Sequence, residues 1–361
     1  MFIIFIIFTF IAKLHGADQG CSIGGLQGTC QPISACSGVF SLLKDTDINF
    51  CQEEDPELYI CCPDYLSSPT VEVEQYEDPS SISVKKCEEY YPPPADFIIS
   101  AVGGTKSLPK EFPHMALIGY GQEKDKQWLC GGSLISHNFV LTAAHCLQST
   151  DYGEAKWVHL GDLDISTDED DAEPQDFKII RVIAHPRYSF SSKYHDIALV
   201  KLDRNVMLTE YVAIACLQTV KKIYDPYNNM TAAGWGKIGF AEEQSSFLLK
   251  VSLNEVNTET CNRLYSDVKK SILPQGIVGN TMICAGGEIG VDTCEGDSGG
   301  PLQVRNHYKY DNGKGFRIVG VTSFGKACGI TRSPSIYTRV SYYTNWIESI
   351  VWPEEYKKAH S

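Results

Sequence analysis

Three side chains in this sequence have the types needed for nucleophilic acyl transfer: His145 in LTAAHC, Asp196 in HDIALVKL and Ser298 in DTCEGDSGGP. A serine hydroxyl is a weak nucleophile at neutral pH, so a base must remove its proton as it attacks. A neutral imidazole serves, provided a buried carboxylate fixes its tautomer and stabilises the imidazolium that forms. The glycines around Ser298 let the N–H groups of Gly296 and Ser298 converge on a developing oxyanion, and one such donor is worth roughly 10²–10³ in rate. Each residue alone has an ordinary structural explanation, as a histidine beside a cysteine, a capping aspartate or a glycine-rich loop. In the order His, Asp, Ser within one stretch, they read as a catalytic set.

The elements that must position them are short. From about residue 101 onward, WLCGGSLIS, NFVLTAAHC, WVHLG, DIALVKL, TAAGWG and RIVGVTSFG alternate with turn residues. That spacing predicts an all-β barrel or sandwich. Only the tail YYTNWIESIV reads as a helix, with Trp346, Ile347 and Ile350 on one face.

The rest of the chain bounds where this domain works. Of 361 residues 43% are hydrophobic and 21% charged, and the net charge is 31 − 45 = −14. Such a composition folds, and it offers no basic stripe for nucleic acid. The apolar run Phe2 to Ala12 is too short to span a bilayer but suits a secretory signal ending near Gly16 and Ala17. No later segment approaches the length of a membrane span, so the expected product of residues 18–361 is secreted, with no membrane partner. In an oxidising compartment the fourteen cysteines pair. Cys21, Cys30, Cys36, Cys51, Cys61 and Cys62 crowd residues 18–62, a segment with little else to form a core. Six cysteines allow fifteen pairings, which spacing cannot choose among. Zinc is disfavoured because no CxxC pair or nearby histidine supplies ligands. Residues 63–100, with SSPTVEVEQYEDPSS and EEYYPPPAD, read as an acidic, proline-rich linker. Its Cys87 needs a partner elsewhere.

TAAHC, DIALV and GDSGGP, with AVGG, CGGSLIS, AAGWG and IYTRV, make residues 101–361 resemble the chymotrypsin-like serine proteases. The resemblance implies an all-β fold of two six-stranded barrels with a C-terminal helix and the active site between the barrels. It assigns His145 as general base, Asp196 as its orienting partner and Ser298 as nucleophile. It also implies the bridges Cys130–Cys146, Cys261–Cys284 and Cys294–Cys328, with Cys87–Cys216 across the linker. The amino-terminal cluster, with its double cysteine before Pro63, resembles a clip domain, the disulfide module of arthropod protease zymogens. That pattern pairs Cys21–Cys61, Cys30–Cys51 and Cys36–Cys62. FPHMA, LPQGI and VGVTSFGKAC place the chain near the snake-type clip proteases.

The same resemblance puts Asp292 at the base of the S1 pocket, where a buried carboxylate selects Arg or Lys. Ser323 and Gly325 would line the pocket and its approach. Ser335 stands where glycine is usual and would narrow it. Cleavage at Ser100–Ala101 would free an α-amino group to pair with Asp297, although FIIS offers no basic residue to a trypsin-like activator. From Asp162 to Asp176 eight of fifteen residues are acidic, which reads first as a solvated loop and second as a Ca²⁺ loop, as in some relatives. No cofactor is otherwise required. Asn229-Met-Thr231 is an N-glycosylation sequon. The expected partners are a protein substrate (a downstream zymogen or cytokine precursor), an upstream activating protease and a serpin, in an extracellular cascade of the haemolymph. The alternatives are a clip-domain cofactor with little activity, or a venom protease.

Overall fold

The computed structural model describes residues 20–23, 26–32, 50–54, 57–63, 80–91, 106–167, 169, 172–223, 229–237, 243–287, 293, 296–305, 315–326 and 333–361. Two compact units emerge, residues 1–73 with 99–101 and residues 74–98 with 102–361. In the first, strands β1 (Gly20–Ile23), β2 (Leu26–Pro32), β3 (Phe50–Glu54) and β4 (Glu57–Pro63) form a sheet in the order β1-β2-β4-β3. Cys30 and Cys61 lie opposite each other in the β2/β4 register and are almost fully buried. The Cys21–Cys61 bridge ties β1 to β4, with 5.8 Å between Cα atoms. Cys30 is disulfide-bonded as well. The expected partners Cys51 and Cys62, as side chains, and Cys36 lie outside the described residues, as does the expected signal at 1–17.

The second unit begins with a helix that composition did not suggest. Within the stretch expected to be an acidic, proline-rich linker, α1 (Ile82–Tyr90) buries Ile82, Val84 and Cys87 within the second unit. A nine-residue helix is marginal alone, so its reason lies in tertiary contacts. Cys87 is bridged to Cys216. The carboxylate of Glu348, 265 residues away in sequence, accepts hydrogen bonds from the Ser83 N–H (2.8 Å) and the Ser81 hydroxyl (2.6 Å). A buried anion at the first turn satisfies otherwise unpaired amides and complements the helix dipole. The rest of the expected linker, residues 64–79 and 92–100, lies outside the described residues.

The first barrel is closed. Strands β5 (Met115–Gln122), β6 (Asp125–Ser136), β7 (Phe139–Thr142), β10 (Trp157–Leu160), β11 (Gln175–Ala184) and β12 (Ala198–Leu202) pair in the ring β10-β11-β12-β7-β6-β5. A two-strand ribbon, β8 (Gln148–Ser149) and β9 (Gly153–Glu154), stands apart from it. Ile118, Leu134, Val140, Val158, Leu199 and Val200 fill the interior and are fully buried.

The second sheet comprises β13 (Cys216–Leu217), β14 (Asn229–Gly234), β15 (Leu249–Asn254), β16 (Met282–Ala285), β17 (Pro301–Arg305), β18 (Phe316–Phe324) and β19 (Ser335–Arg339). Six run in the order β15-β14-β17-β18-β19-β16, and β13 pairs with β18 from the side. The end strands meet through one isolated bridge, Glu255 to Ala285, flanked by Val256 N–H to Cys284 O at 2.8 Å. Gly286 N–H donates to Asn254 O at 3.0 Å across the same junction, so among the described residues the second barrel closes by a short link, where the first closes by full ladders. The Cys261–Cys284 bridge pins α2 (Thr258–Leu264) to β16. The chain ends in α3 (Thr344–Val351) and α4 (Pro353–Ala359). The buried stripe of α3 is Thr344, Ile347, Glu348 and Val351, with Trp346 and Ile350 half-buried beside it. The expected helical face is thus rotated by the contact Glu348 makes to α1.

Candidate active site

His145 sits on the 3₁₀ turn Ala144–Leu147 that follows β7, and Asp196 lies just before β12. Because β12 pairs with β7 in the register Ala198 to Thr142, the chain beyond one strand's end meets the chain before the other. Asp196 accepts from the His145 backbone N–H at 2.9 Å through Oδ1 and lies 2.7 Å from His145 Nδ1 through Oδ2. The Ser323 hydroxyl donates to the same Oδ2 at 2.5 Å, and Thr338 Oγ1 donates to the Asp196 carbonyl at 2.7 Å. The Asp196 side chain is only 3% exposed. Burial alone would push its carboxyl up, but the His145 charge and the hydrogen bonds outweigh it and hold Asp196 below the usual carboxylate range. A proton on Nδ1 facing that carboxylate leaves Nε2 as the acceptor. Directly before Asp196, His195 adopts a left-handed φ of 57° and bonds Tyr343 OH through Nδ1 at 2.9 Å.

Ser298 is carried on a loop that both barrels hold. Gly131 N–H donates to Ser298 O at 2.7 Å, and Gly299 N–H donates to Thr322 O at 2.8 Å. Gly299 has φ 79°, and a Cβ there would lie 2.2 Å from Thr142 Oγ1 and 2.6 Å from Gly131 O. No other residue fits that turn. Gly296 (φ 99°) and Ser298 give their N–H groups to no acceptor among the described residues, which leaves both for a ligand oxygen. Ser298 Oγ makes no hydrogen bond to His145 here, a contact often long before substrate arrives.

The remaining expected residues divide. Ser323 is buried with its hydroxyl turned to Asp196, so it supports the carboxylate rather than presenting that hydroxyl to a pocket. Gly325 and Ser335 are brought together, since a Cβ on Gly325 would lie 2.8 Å from Ser335 Oγ. Asp292, Cys294, Cys328, Ser100 and Ala101 lie outside the described residues. Asp297 accepts through Oδ1 from Gly236 N–H at 2.9 Å. Cys130–Cys146 joins β6 to the histidine turn. Asn229 opens β14 opposite Asn254, its side chain outside the described residues. Ser323 and Thr338 are the supports that sequence reasoning missed as such; VTSFG and YTRV flagged their segments but not their direction.

The acidic loop offers little to a cation. His159 is clamped between Asp162 Oδ2 at 2.7 Å and Asp176 Oδ1 at 2.6 Å, and Lys126 takes the other Asp176 oxygen at 2.5 Å. Asp164 is engaged by Ser166. Asp162 Oδ1 alone is buried without a hydrogen-bond partner, whereas Ca²⁺ takes six to eight oxygens. Among the described carboxylates of the loop, His159 and Lys126 leave no oxygen of Asp176 and one of Asp162 to a cation.

Comparison with known proteins accords with this geometry. The sequence profile of the trypsin family matches residues 101–347. The chain is 36% identical to serine protease snk of Drosophila melanogaster, over 94% of this chain and 80% of that protein. It is 32% identical to CLIP domain-containing serine protease B10 of Anopheles gambiae, over 95% of this chain and 96% of the relative. Phenoloxidase-activating factor 1 of Holotrichia diomphalia is 31% identical over 97% and 98%.

Proposed function

The chain belongs to the trypsin family of serine endopeptidases, and on that footing we propose that it is a secreted clip-domain zymogen of an extracellular proteolytic cascade. The observation that carries the reading is the buried Asp196 carboxylate held by both the backbone and the ring of His145. In the proposed reaction, Ser298 Oγ attacks the scissile carbonyl while His145 Nε2 takes its proton. Asp196 steadies the imidazolium, and the N–H groups of Gly296 and Ser298 receive the oxyanion. The tetrahedral intermediate then collapses as His145 returns the proton to the leaving amine. Water repeats the sequence on the acyl-enzyme and frees Ser298.

Asp292 at the base of S1 gives preference for Arg or Lys, tempered by Ser335 against Gly325. Cutting Ser100–Ala101 releases the α-amino group that pairs with Asp297, and the activator is a protease that accepts a non-basic residue. The names of the relatives, among them a phenoloxidase-activating factor and a melanization protease, support a place in a proteolytic cascade; in the proposed reading the substrate is a downstream zymogen or cytokine precursor, the location the haemolymph and the regulator a serpin. Asn229 carries glycan. The cofactor reading is not favoured, because all three reactive residues are present.

The test is a recombinant chain with an enteropeptidase site replacing the residues before Ala101. After cutting, arginine, lysine, phenylalanine and alanine amides are assayed beside Ser298→Ala. Arginine turnover that the variant abolishes supports the reading. Verified cleavage without any turnover overturns it.

A further inference from the structure

Among the described residues two cations of the stretch leading into Asp196, Arg187 and Lys193, have no carboxylate partner, and Lys193 is the one that stands over the Phe324 ring. The stretch from His185 to His195, which leads into Asp196, carries Arg187 and Lys193 and no acidic residue, in a chain of net charge −14. Lys193 is anchored by its backbone N–H to Ile272 O at 3.3 Å, and its ammonium stands 5.4 Å from the centre of the Phe324 ring. Phe324 directly follows Ser323, whose hydroxyl bonds Asp196, and precedes Gly325, which abuts Ser335. The Lys193–Phe324 pair is therefore set at the rim of the catalytic centre, on the side where Gly325 and Ser335 line the approach to S1. The Phe324 ring is held edge-on by the buried Tyr265 at 5.9 Å. The neighbouring cation across that pair, Lys326, is already matched to Asp267 at 2.6 Å. Lys193 has no such match among the described residues. Asp196 cannot supply one, being buried and fully engaged by His145 and Ser323.

We propose that Lys193 is a specificity-determining contact that selects a carboxylate-bearing residue, aspartate or glutamate, on the acyl side of the scissile bond. A substrate whose scissile carbonyl reaches Ser298 passes its preceding residues along Ser323, Phe324 and Gly325. The side of β18 turned toward Gly299 and Gly300 has no strand partner beyond Thr322 among the described residues, so an extended segment can pair there. A carboxylate on such a segment meets an ammonium whose orientation the Phe324 face already restricts. The inference rests on the endopeptidase reading above and adds a charge to the class of substrate.

The test uses the full cut enzyme and peptide amides that fix the residue before the cleaved bond as the one favoured in the amide panel. The two preceding positions are varied among Glu, Gln and Lys. For one of them, the expected order of kcat/KM is Glu, then Gln, then Lys, each step about three- to tenfold at low salt, as a half-exposed ion pair allows. The difference resides mainly in KM and shrinks at high ionic strength. Lys193→Gln flattens the order, and Lys193→Glu inverts it while Gln peptides are still cut. A wild-type enzyme that cuts all peptides without regard to charge, or a preference that survives in Lys193→Gln, overturns this proposal alone. Failure to cut any peptide overturns the endopeptidase reading, and this one falls with it.

Discussion

Asp196 is buried, yet its charge is held by three contacts from two segments, the His145 amide and ring and the Ser323 hydroxyl, while Thr338 holds its backbone carbonyl. Its folded-state carboxyl lies below the ordinary value, so the stability it contributes is complete above about pH 4 and is lost as pH falls through the folded value. Asp196→Asn, which keeps the shape and removes the charge, is expected to lower kcat roughly 10⁴-fold. Ser323→Ala removes one hydrogen bond to a charged group, worth about 1.5–3 kcal/mol. Steady-state assays should show kcat falling about tenfold or more with KM nearly unchanged, and an unchanged rate would refute the supporting role. Gly299→Ala places a Cβ against Thr142 and Gly131 at a left-handed φ, and thermal melts should show a loss of about 3 kcal/mol or more. Two of the reactive residues were legible because Cys146 follows His145 directly and Cys294 and the glycines around Ser298 fix its register, and Asp196 because it stands just before the apolar strand run IALV. Ser323 was legible only as a position, because nothing local shows which way a hydroxyl turns when its partner is 127 residues away.

At the scale of elements, two devices stiffen the catalytic domain. His159 on β10 bridges to Asp176 on β11 and to Asp162. Burial would lower its imidazolium, but the two carboxylates prevail and raise it to about 9 from an ordinary 6.5. Because the folded value exceeds the unfolded one, the bridge stabilises fully below about pH 6.5 and fades as pH rises through 9. Wild type should lose about 2 kcal/mol across that window in denaturant titrations, and His159→Gln should lose less; equal losses would refute the bridge. The second device is Glu348 beneath α1. Glu348→Ala strands the Ser83 amide and the Ser81 hydroxyl and should cost about 2–3 kcal/mol, with proteolysis at residues 80–91 reporting the release. The strands were readable from their alternation and turn residues. The helix α1 was not, because its sequence is mixed and its stability comes from α3 and from Cys216.

For the whole molecule, the acidic composition and the disulfides set the frame in which a cut chain stays one particle. Cys87 and Cys216 are joined across 129 residues, so a cut at Ser100–Ala101 between them leaves the amino-terminal piece attached. Gels of the cut protein should show one species without reductant and two with it. The central claim is that Ser298 becomes an activated nucleophile served by His145 and Asp196. Its most direct test is reaction of the cut chain with a fluorophosphonate, followed by peptide mapping in the mass spectrometer. A single adduct is expected on Ser298, formed rapidly after cutting, slowly before it, and abolished in His145→Ala. A cut chain that remains unlabelled at Ser298, or that is labelled equally without His145, would contradict it.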